Sequence, residues 1–192
     1  MNIKTSEKII DIAQEMVQTR GYHGFSYRDI SERIGIKTAS IHYHYPAKSD
    51  LAKALLERGL DAFDKDLEAI DAEGGHVKVR LQKFTQIFLK TYGDDGRLCP
   101  FCMIATSQNT ISGEVQAEVS AFWMKGEAWL ENLLESGERT GELELKGSAQ
   151  LLSRVLLSSL EGAMIVAKSF DDRDRLEASI GFILSLIIEK GG

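Results

Sequence analysis

Cysteine and proline are both scarce in this 192-residue chain, which contains two of each. Two cysteines are too few for a disulfide-stapled scaffold, which excludes that class of secreted domain and favours a reducing cytoplasm. The N-terminus has no apolar core of the signal-peptide type. The most apolar run, residues 151–167, is interrupted by Arg154 and Glu161. We expect it to form a buried helix rather than a membrane span, and we expect no membrane partner.

The chain also lacks stretches in which apolar and polar residues alternate, which is the pattern of a half-buried strand. Apolar residues recur instead at helical spacing, and this predicts an all-α fold of about nine helices. The predicted helices cover residues 5–20, 27–34, 38–45, 48–72, 77–92, a short segment from 100, 113–137, 148–170 and 173–188.

Positive charge is in deficit overall, because the net charge is −6, which alone argues against a nucleic-acid partner. The distribution is uneven, however. Residues 1–53 hold eight Lys and Arg against six Asp and Glu, whereas the remainder holds fifteen against twenty-three. Phosphate binding depends on local positive charge, so the N-terminal part is expected to bind DNA through few phosphate contacts.

The most informative pattern lies between residues 26 and 51, which read as two short helices joined by a turn. Ser26 can cap the first helix, with Asp29 in the acidic position of a capping box. Gly35 supplies the left-handed residue of a tight turn. Thr38 is predicted to cap the second helix and Pro46 to end it. This is the pattern of a helix-turn-helix, whose second helix enters the DNA major groove.

The second helix carries mostly side chains that can hydrogen-bond to phosphates or base edges. None is an Arg or Asn that could read a base with two hydrogen bonds, so sequence reading should rest on Thr and Ser contacts, a methyl group, water and DNA shape. Tyr43, His44 and Lys48 are the expected phosphate contacts. The predicted DNA-binding residues are Ser26, Tyr27, Lys37, Thr38, Ala39, Ser40, His42, Tyr43, His44 and Lys48.

The segment His42-Tyr43-His44-Tyr45-Pro46-Ala47-Lys48-Ser49-Asp50-Leu51 resembles the DNA-binding head of TetR-type transcription regulators, whose signature is close to Y-x-x-F-x-x-K-x-x-L. The resemblance covers roughly the first quarter of the chain. The chain departs from the pattern at His42, where Tyr is usual, at Tyr45, where Phe is usual, and at Ala47, where a Ser or Asn would cap the next helix.

This resemblance implies a homodimeric regulator, most simply a repressor, that binds a palindromic double-stranded DNA operator and is released by a small-molecule effector. It also implies a helix-turn-helix DNA-binding domain over residues 1–47 and a ligand-binding and dimerisation domain over residues 48–192. The long helix predicted over residues 48–72 would transmit effector binding to the DNA-binding heads.

Two C-terminal helices predict how the dimer forms. Residues 148–170 are apolar nearly all round, and residues 173–188 add a second apolar helix, so covering both requires a second subunit. A two-fold four-helix bundle is the natural arrangement, and TetR-like proteins dimerise in this way. The predicted interface residues are Leu156, Leu160, Ala163, Ile180, Ile183 and Ile187.

Aromatic and flexible side chains are numerous in the C-terminal part, and as a set they predict a pocket for an apolar effector, although each is equally compatible with plain core packing. The predicted ligand-binding residues are Phe84, Phe88, Cys102, Met103, Thr106, Phe122, Trp123 and Met164.

The sequence Cys99-Pro100-Phe101-Cys102 is the one sharp motif outside the helix-turn-helix. It is compatible with a small helical thiol-redox enzyme, with a pair that senses oxidants or electrophiles, or with two packing residues. A single C-x-x-C pair is half of a zinc site, and no second pair follows. No Ser–His–Asp set, paired carboxylates or Gly-rich phosphate loop stands out, so no catalytic residue, metal or cofactor is predicted.

Overall fold

A computed structural model describes residues 4–186, which form nine helices and no strand. The all-α prediction is confirmed. The helices are α1 (Thr5–Arg20), α2 (Tyr27–Ile34), α3 (Thr38–His44), α4 (Lys48–Glu73), α5 (Val77–Tyr92), α6 (Pro100–Ala105), α7 (Gly113–Thr140), α8 (Ala149–Phe170) and α9 (Arg173–Ser185). The predicted interface residue Ile187 lies outside the described residues.

The chain divides into two compact units, and each is discontinuous in sequence. Unit 1 comprises Met1–Ala62 and Cys99–Phe122, and unit 2 comprises Phe63–Leu98 and Trp123–Gly192. Helices α4 and α7 therefore each begin in unit 1 and end in unit 2. The predicted boundary at residue 47, between a DNA-binding domain and a ligand-binding domain, is a functional division and stays a prediction.

Unit 1 is built on α1, which packs against α2, α3 and α6. Its core residues are fully buried apolar side chains contributed by five helices: Ile9, Ala13, Ile30, Ile41, Leu55, Leu56 and Ile104. The ring of Phe101 stacks on that of Phe122 with centroids 4.1 Å apart. The guanidinium of Arg58 on α4 binds Asp11 at 2.6 Å and Gln14 at 2.8 Å, and these polar contacts tie α4 to α1 at the edge of this core.

Unit 2 packs α8 against α9, and both of these helices against α5. An aromatic cluster lies at its centre, where Phe84 stacks on Trp129 at 5.2 Å and meets Phe88 at 5.4 Å. Polar contacts join the loops to this core. Glu142 accepts a hydrogen bond from the backbone N–H of Val77 at 2.7 Å.

Helix α8 has a mean hydropathy of 1.3 over 18 residues and is the one described helix long and apolar enough to cross a membrane. Single helices of this kind also occur in the cores of soluble proteins, so this is weak evidence for a span. Arg154 and Glu161 interrupt the helix, and α5 and α9 pack against it within unit 2. This packing covers one side of the helix, and 39% of the 18-residue apolar window is buried within the chain.

Candidate nucleic-acid interface

Helix α2 is fixed at both ends by the residues that the sequence singles out. The backbone N–H of Ser26 donates to the Asp29 carboxylate at 2.7 Å, and the Ser26 hydroxyl accepts from the Asp29 N–H, which completes the predicted capping box. The pKa of Asp29 is lowered by the hydrogen bonds that its carboxylate accepts, first from the Ser26 hydroxyl and then from the Ser26 N–H. At the other end Gly35 is left-handed, with φ 78°, and donates to the Ser31 carbonyl. The turn into α3 is thus set by local chemistry.

Tyr27 was predicted to bind DNA, but the structure buries its ring within unit 1. Its hydroxyl lies 2.9 Å from the carbonyl oxygen of Tyr45 and 2.7 Å from that of Ala47, so it donates its proton to this pair. Burial is the main reason that the pKa of Tyr27 is raised. The correction follows from this geometry, because Tyr27 holds the end of α3 in place rather than facing a ligand.

Replacing Tyr27 by Phe should test this role. The substitution keeps the ring and removes a donor that the Tyr45 and Ala47 carbonyl oxygens share, at a cost of about 1–3 kcal/mol in the free energy of unfolding, although the Ala47 oxygen still accepts from the Asp50 N–H. Urea unfolding would measure it. The matched control is Tyr43→Phe, because that exposed hydroxyl has no comparable role in packing and its loss should leave stability unchanged within about 0.5 kcal/mol. Equal stabilities for the two variants would contradict the assignment.

Lys48 was predicted to contact phosphate, and the structure gives its charge an internal partner. Its Nζ donates a hydrogen bond to the carbonyl oxygen of Phe25 and lies 4.0 Å from the centroid of the Phe25 ring and 5.0 Å from that of Tyr22. Burial lowers the pKa of Lys48, and the nearby Asp29 carboxylate partly offsets this. Lys48 therefore joins the start of α4 to the turn between α1 and α2.

Helix α3 is anchored by a single buried side chain, Ile41, and presents its other faces outward. Its exposed residues, together with its N-cap residue, are Lys37, Ala39, Ser40, His42, Tyr43 and His44. Tyr43 is 84% exposed, more than any other large apolar or aromatic side chain of the described chain. A shallow depression of about 430 Å³ runs beside these residues and is also lined by Thr5 and Ile36. The exposed residues and this depression form the candidate interface.

The beginning and end of α3 differ from the prediction. Lys37 rather than Thr38 is the N-cap residue, and its side chain makes no capping hydrogen bond. Thr38 is half-buried and its hydroxyl donates to Ser31 at 3.3 Å, so the predicted cap is wrong. Beyond the other end of α3, Ala47 has no side chain that could cap the start of α4. Its backbone N–H donates instead to the Asp50 carboxylate at 2.8 Å.

His42, which departs from the family signature, has a structural use. Its Nδ1 lies 3.2 Å from the Pro46 carbonyl oxygen, which can only accept, so Nδ1 carries the proton. The ring also packs edge-on against Tyr27 with centroids 4.8 Å apart.

The eight predicted ligand-binding residues do not fall in one unit. Cys102, Met103, Thr106 and Phe122 belong to unit 1, whereas Phe84, Phe88, Trp123 and Met164 belong to unit 2. Phe84, Phe88, Phe122 and Met164 are buried in packed core. Among the described residues no group of three or more His, Cys, Asp or Glu could hold a metal ion.

The predicted dimer residues require a correction. Leu160, Leu156 and Ile180 are only 1%, 7% and 4% exposed, so they belong to the core of their own chain and cannot offer surface to a partner. Ala163 and Ile183 are half-exposed. Sequence reasoning missed the large apolar residues that do lie on the surface of α8 and α9, although four of them repeat at helical spacing along α8. These exposed residues are Leu151, Val155, Ile165, Val166, Phe170, Phe182 and Leu186.

Comparison with known proteins agrees with a helix-turn-helix protein. A family model described as "Bacterial regulatory proteins, tetR family" matches residues 9–55. A TetR transcriptional regulator from Legionella pneumophila is 31% identical, with a TM-score of 0.88 over 98% of this chain and 100% of that one. A TetR-family regulator from Agrobacterium tumefaciens is 27% identical, with a TM-score of 0.90 over 95% and 96% of the two chains. The transcriptional repressor DhaR from a Mycobacterium species is 19% identical over 95% of this chain and 91% of its own length.

Proposed function

The chain belongs to the TetR family of DNA-binding transcriptional regulators, and from this premise we propose that it is a cytoplasmic homodimeric repressor released from a palindromic operator by a small-molecule effector. The observation that carries the proposal is the exposed face of α3. Five polar or aromatic side chains stand outward on a helix that Ile41, the Tyr27 hydroxyl and the α2 capping box hold rigidly. Family membership favours a regulator over the thiol enzyme that the Cys pair alone would allow.

The exposed face of α3 divides into two kinds of contact. Tyr43 and His44, near its C-terminal end, are proposed to bind phosphate oxygens, which fixes position without reading sequence. Ala39 and Ser40, with Thr38 partly behind them, are proposed to meet base edges near the start of the helix. Few Lys and Arg lie on this face, so specific affinity depends on using two heads at once.

Two heads of a symmetric dimer would occupy half-sites about 34–36 Å apart. The exposed apolar face of α8 and α9 supports a second copy of this chain as the partner. Val155 borders a depression of about 320 Å³ with Arg154, Ser158 and Ser159, and the two serines are small enough for close helix approach. A two-fold bundle of α8 and α9 would cover this face.

The effector is proposed to be an apolar small molecule that binds within residues 48–192. Helix α4 is continuous from unit 1 into unit 2, so it offers a covalent route for coupling of about 1–3 kcal/mol between effector and operator. A thermal-shift screen of apolar compounds tests this, because a ligand that prefers the native state raises the unfolding midpoint. The hit must also weaken DNA binding.

Two substitutions on α3 test the proposed DNA contacts. Tyr43→Phe should weaken binding to the selected operator and to random DNA by a similar factor of about 5 for each head, because one net hydrogen bond is worth roughly 1 kcal/mol. Ser40→Ala should reduce discrimination between the two DNAs and change the binding of random DNA little, because the exposed Ser40 hydroxyl is a proposed base contact. Fluorescence anisotropy with an operator selected from a random duplex library would measure both. Unchanged binding by both variants would place the DNA surface elsewhere.

A further inference from the structure

We propose that Cys99 and Cys102 form an oxidant-sensitive dithiol that closes to an internal disulfide and thereby weakens DNA binding by unit 1. Both are thiols in the structure. The second part of the proposal rests on the proposed DNA-binding function, whereas formation of the disulfide does not. The site is a modification site, and its co-reactant is a hydroperoxide.

The two cysteines occupy the N-cap and the third position of α6. Side chains at these two positions meet at a helix start, which is the geometry of a capping box. The same pair of positions in α2 shows this directly, because the Ser26 hydroxyl lies 2.5 Å from the Asp29 carboxylate. Pro100 between the cysteines fixes the backbone of the first turn. Both cysteines therefore lie at the start of α6, where this spacing favours contact between their side chains.

Closing the bridge must change α6. A disulfide needs Cβ atoms about 3.5–4.5 Å apart, and Cys99 is an N-cap residue whose backbone is not helical. The N-cap and the first turn of α6 therefore have to take up this fixed separation when the bond forms. A helix of six residues has few hydrogen bonds to resist this change.

Burial assigns the two thiols different roles. Cys102 is half-exposed and meets solvent, whereas Cys99 is only 5% exposed. The Cys102 thiolate attacks one peroxide oxygen, the O–O bond breaks, and the leaving oxygen takes a proton, which gives a sulfenic acid and an alcohol, or water from hydrogen peroxide. The Cys99 thiol then attacks the sulfenic sulfur and expels water. Two electrons pass from the thiols to the peroxide in all.

The neighbours of α6 explain why this change would reach the DNA-binding helices. Helix α6 packs against α1, and the Met103 methyl lies 3.6 Å from the position that a Cβ on Gly21 would take, at the turn after α1. The ring of Phe101 lies 3.1 Å from the equivalent position on Gly59 of α4. The loop after α6 is also tied to that first turn, because His23 Nε2 lies 2.8 Å from the Thr110 hydroxyl. Motion of α6 therefore acts on the helices that hold α3, all within unit 1.

The experiment uses the full-length, reduced protein and hydrogen peroxide. We expect an intact mass lower by two hydrogen atoms, loss of both thiols to an alkylating reagent, and binding to a duplex selected from random DNA weakened about 5- to 150-fold, the usual range of coupling between sites. Dithiothreitol should reverse all three changes. Cys99→Ser should instead trap a sulfenic acid at Cys102, whereas Cys102→Ser should trap none.

Two control variants distinguish oxidation of the dithiol from other effects of peroxide on the protein. Met124→Leu removes an oxidisable thioether that is 63% exposed and lies outside α6, and this variant should respond to peroxide like the parent. Cys99→Ala, Cys102→Ala double substitution should keep its DNA affinity in peroxide. Failure to form an internal bridge overturns the proposal, and so does a bridge that leaves DNA affinity unchanged. If the reduced protein selects no duplex, the proposed function fails, while the mass measurement still decides whether the dithiol closes.

Discussion

Replacing Val155 by aspartate is expected to split the proposed dimer into folded monomers. The side chain is 51% exposed in the single chain and lies on the apolar face of α8, so a charge there harms only a chain that is covered by a partner. An uncompensated charge in a buried interface costs about 3–5 kcal/mol. Dimer dissociation should rise by at least roughly 100-fold, and operator affinity should fall with it. Sedimentation and circular dichroism would measure assembly and folding separately.

Val79→Asp is the matched control, because Val79 on α5 is 43% exposed and lies on neither α8 nor α9. It should remain dimeric. Leu160→Asp provides the opposite contrast, since Leu160 is fully buried and its charge should unfold unit 2 rather than release a folded monomer. A Val155→Asp protein that stays dimeric and binds its operator normally would exclude this face as the interface.

Gly24→Ala should have the largest effect on the head. A Cβ at this position would lie 2.2 Å from the carbonyl oxygen of Arg20, and a backbone atom cannot yield as a flexible side chain can. The turn would have to open and displace the neighbouring His23 and Phe25. We expect a loss of about 3 kcal/mol or more in the free energy of unfolding, the upper end of overpacking costs. Urea unfolding would measure it, and DNA affinity should fall as well.

Gly113→Ala is the corresponding control in the same unit. Gly113 begins α7, its φ lies outside the left-handed region, and no described atom lies within 4 Å of the added carbon. Alanine there should leave stability unchanged or raise it by about 0.4–1 kcal/mol, because the unfolded chain loses freedom. If the two alanine variants were equally stable, the close approach at Gly24 would not be a real constraint.

Helix positions were largely predictable because their determinants are local. Helices α1, α2 and α5 begin and end at the predicted residues, and Gly35 takes the left-handed conformation that the turn requires. Helix α7 runs three residues past Gly137, because a glycine in a helix interior costs only about 1 kcal/mol and packing outweighs it.

The direction in which side chains face was harder to predict, because it depends on residues distant in sequence. Tyr27 and Lys48 carry groups that could bind DNA, yet each of them donates a hydrogen bond to a carbonyl oxygen within unit 1. On α8 the periodicity identified an apolar helix, but α5 and α9 decide which of its apolar stripes is buried. A helix that is apolar on several faces gives no sequence signal for that choice.

The division of the DNA-binding unit into two sequence segments has a consequence for the order in which the protein forms during synthesis. The α1 helix is among the first parts made, yet Ile104, Phe101 and Phe122, which complete its unit, follow only after the whole of α5. Domains generally fold as units, so a nascent chain that ends at residue 62 still lacks part of its own core. We therefore expect the core of unit 1 to be complete only after Phe122 has been added, although α3 is made near the beginning.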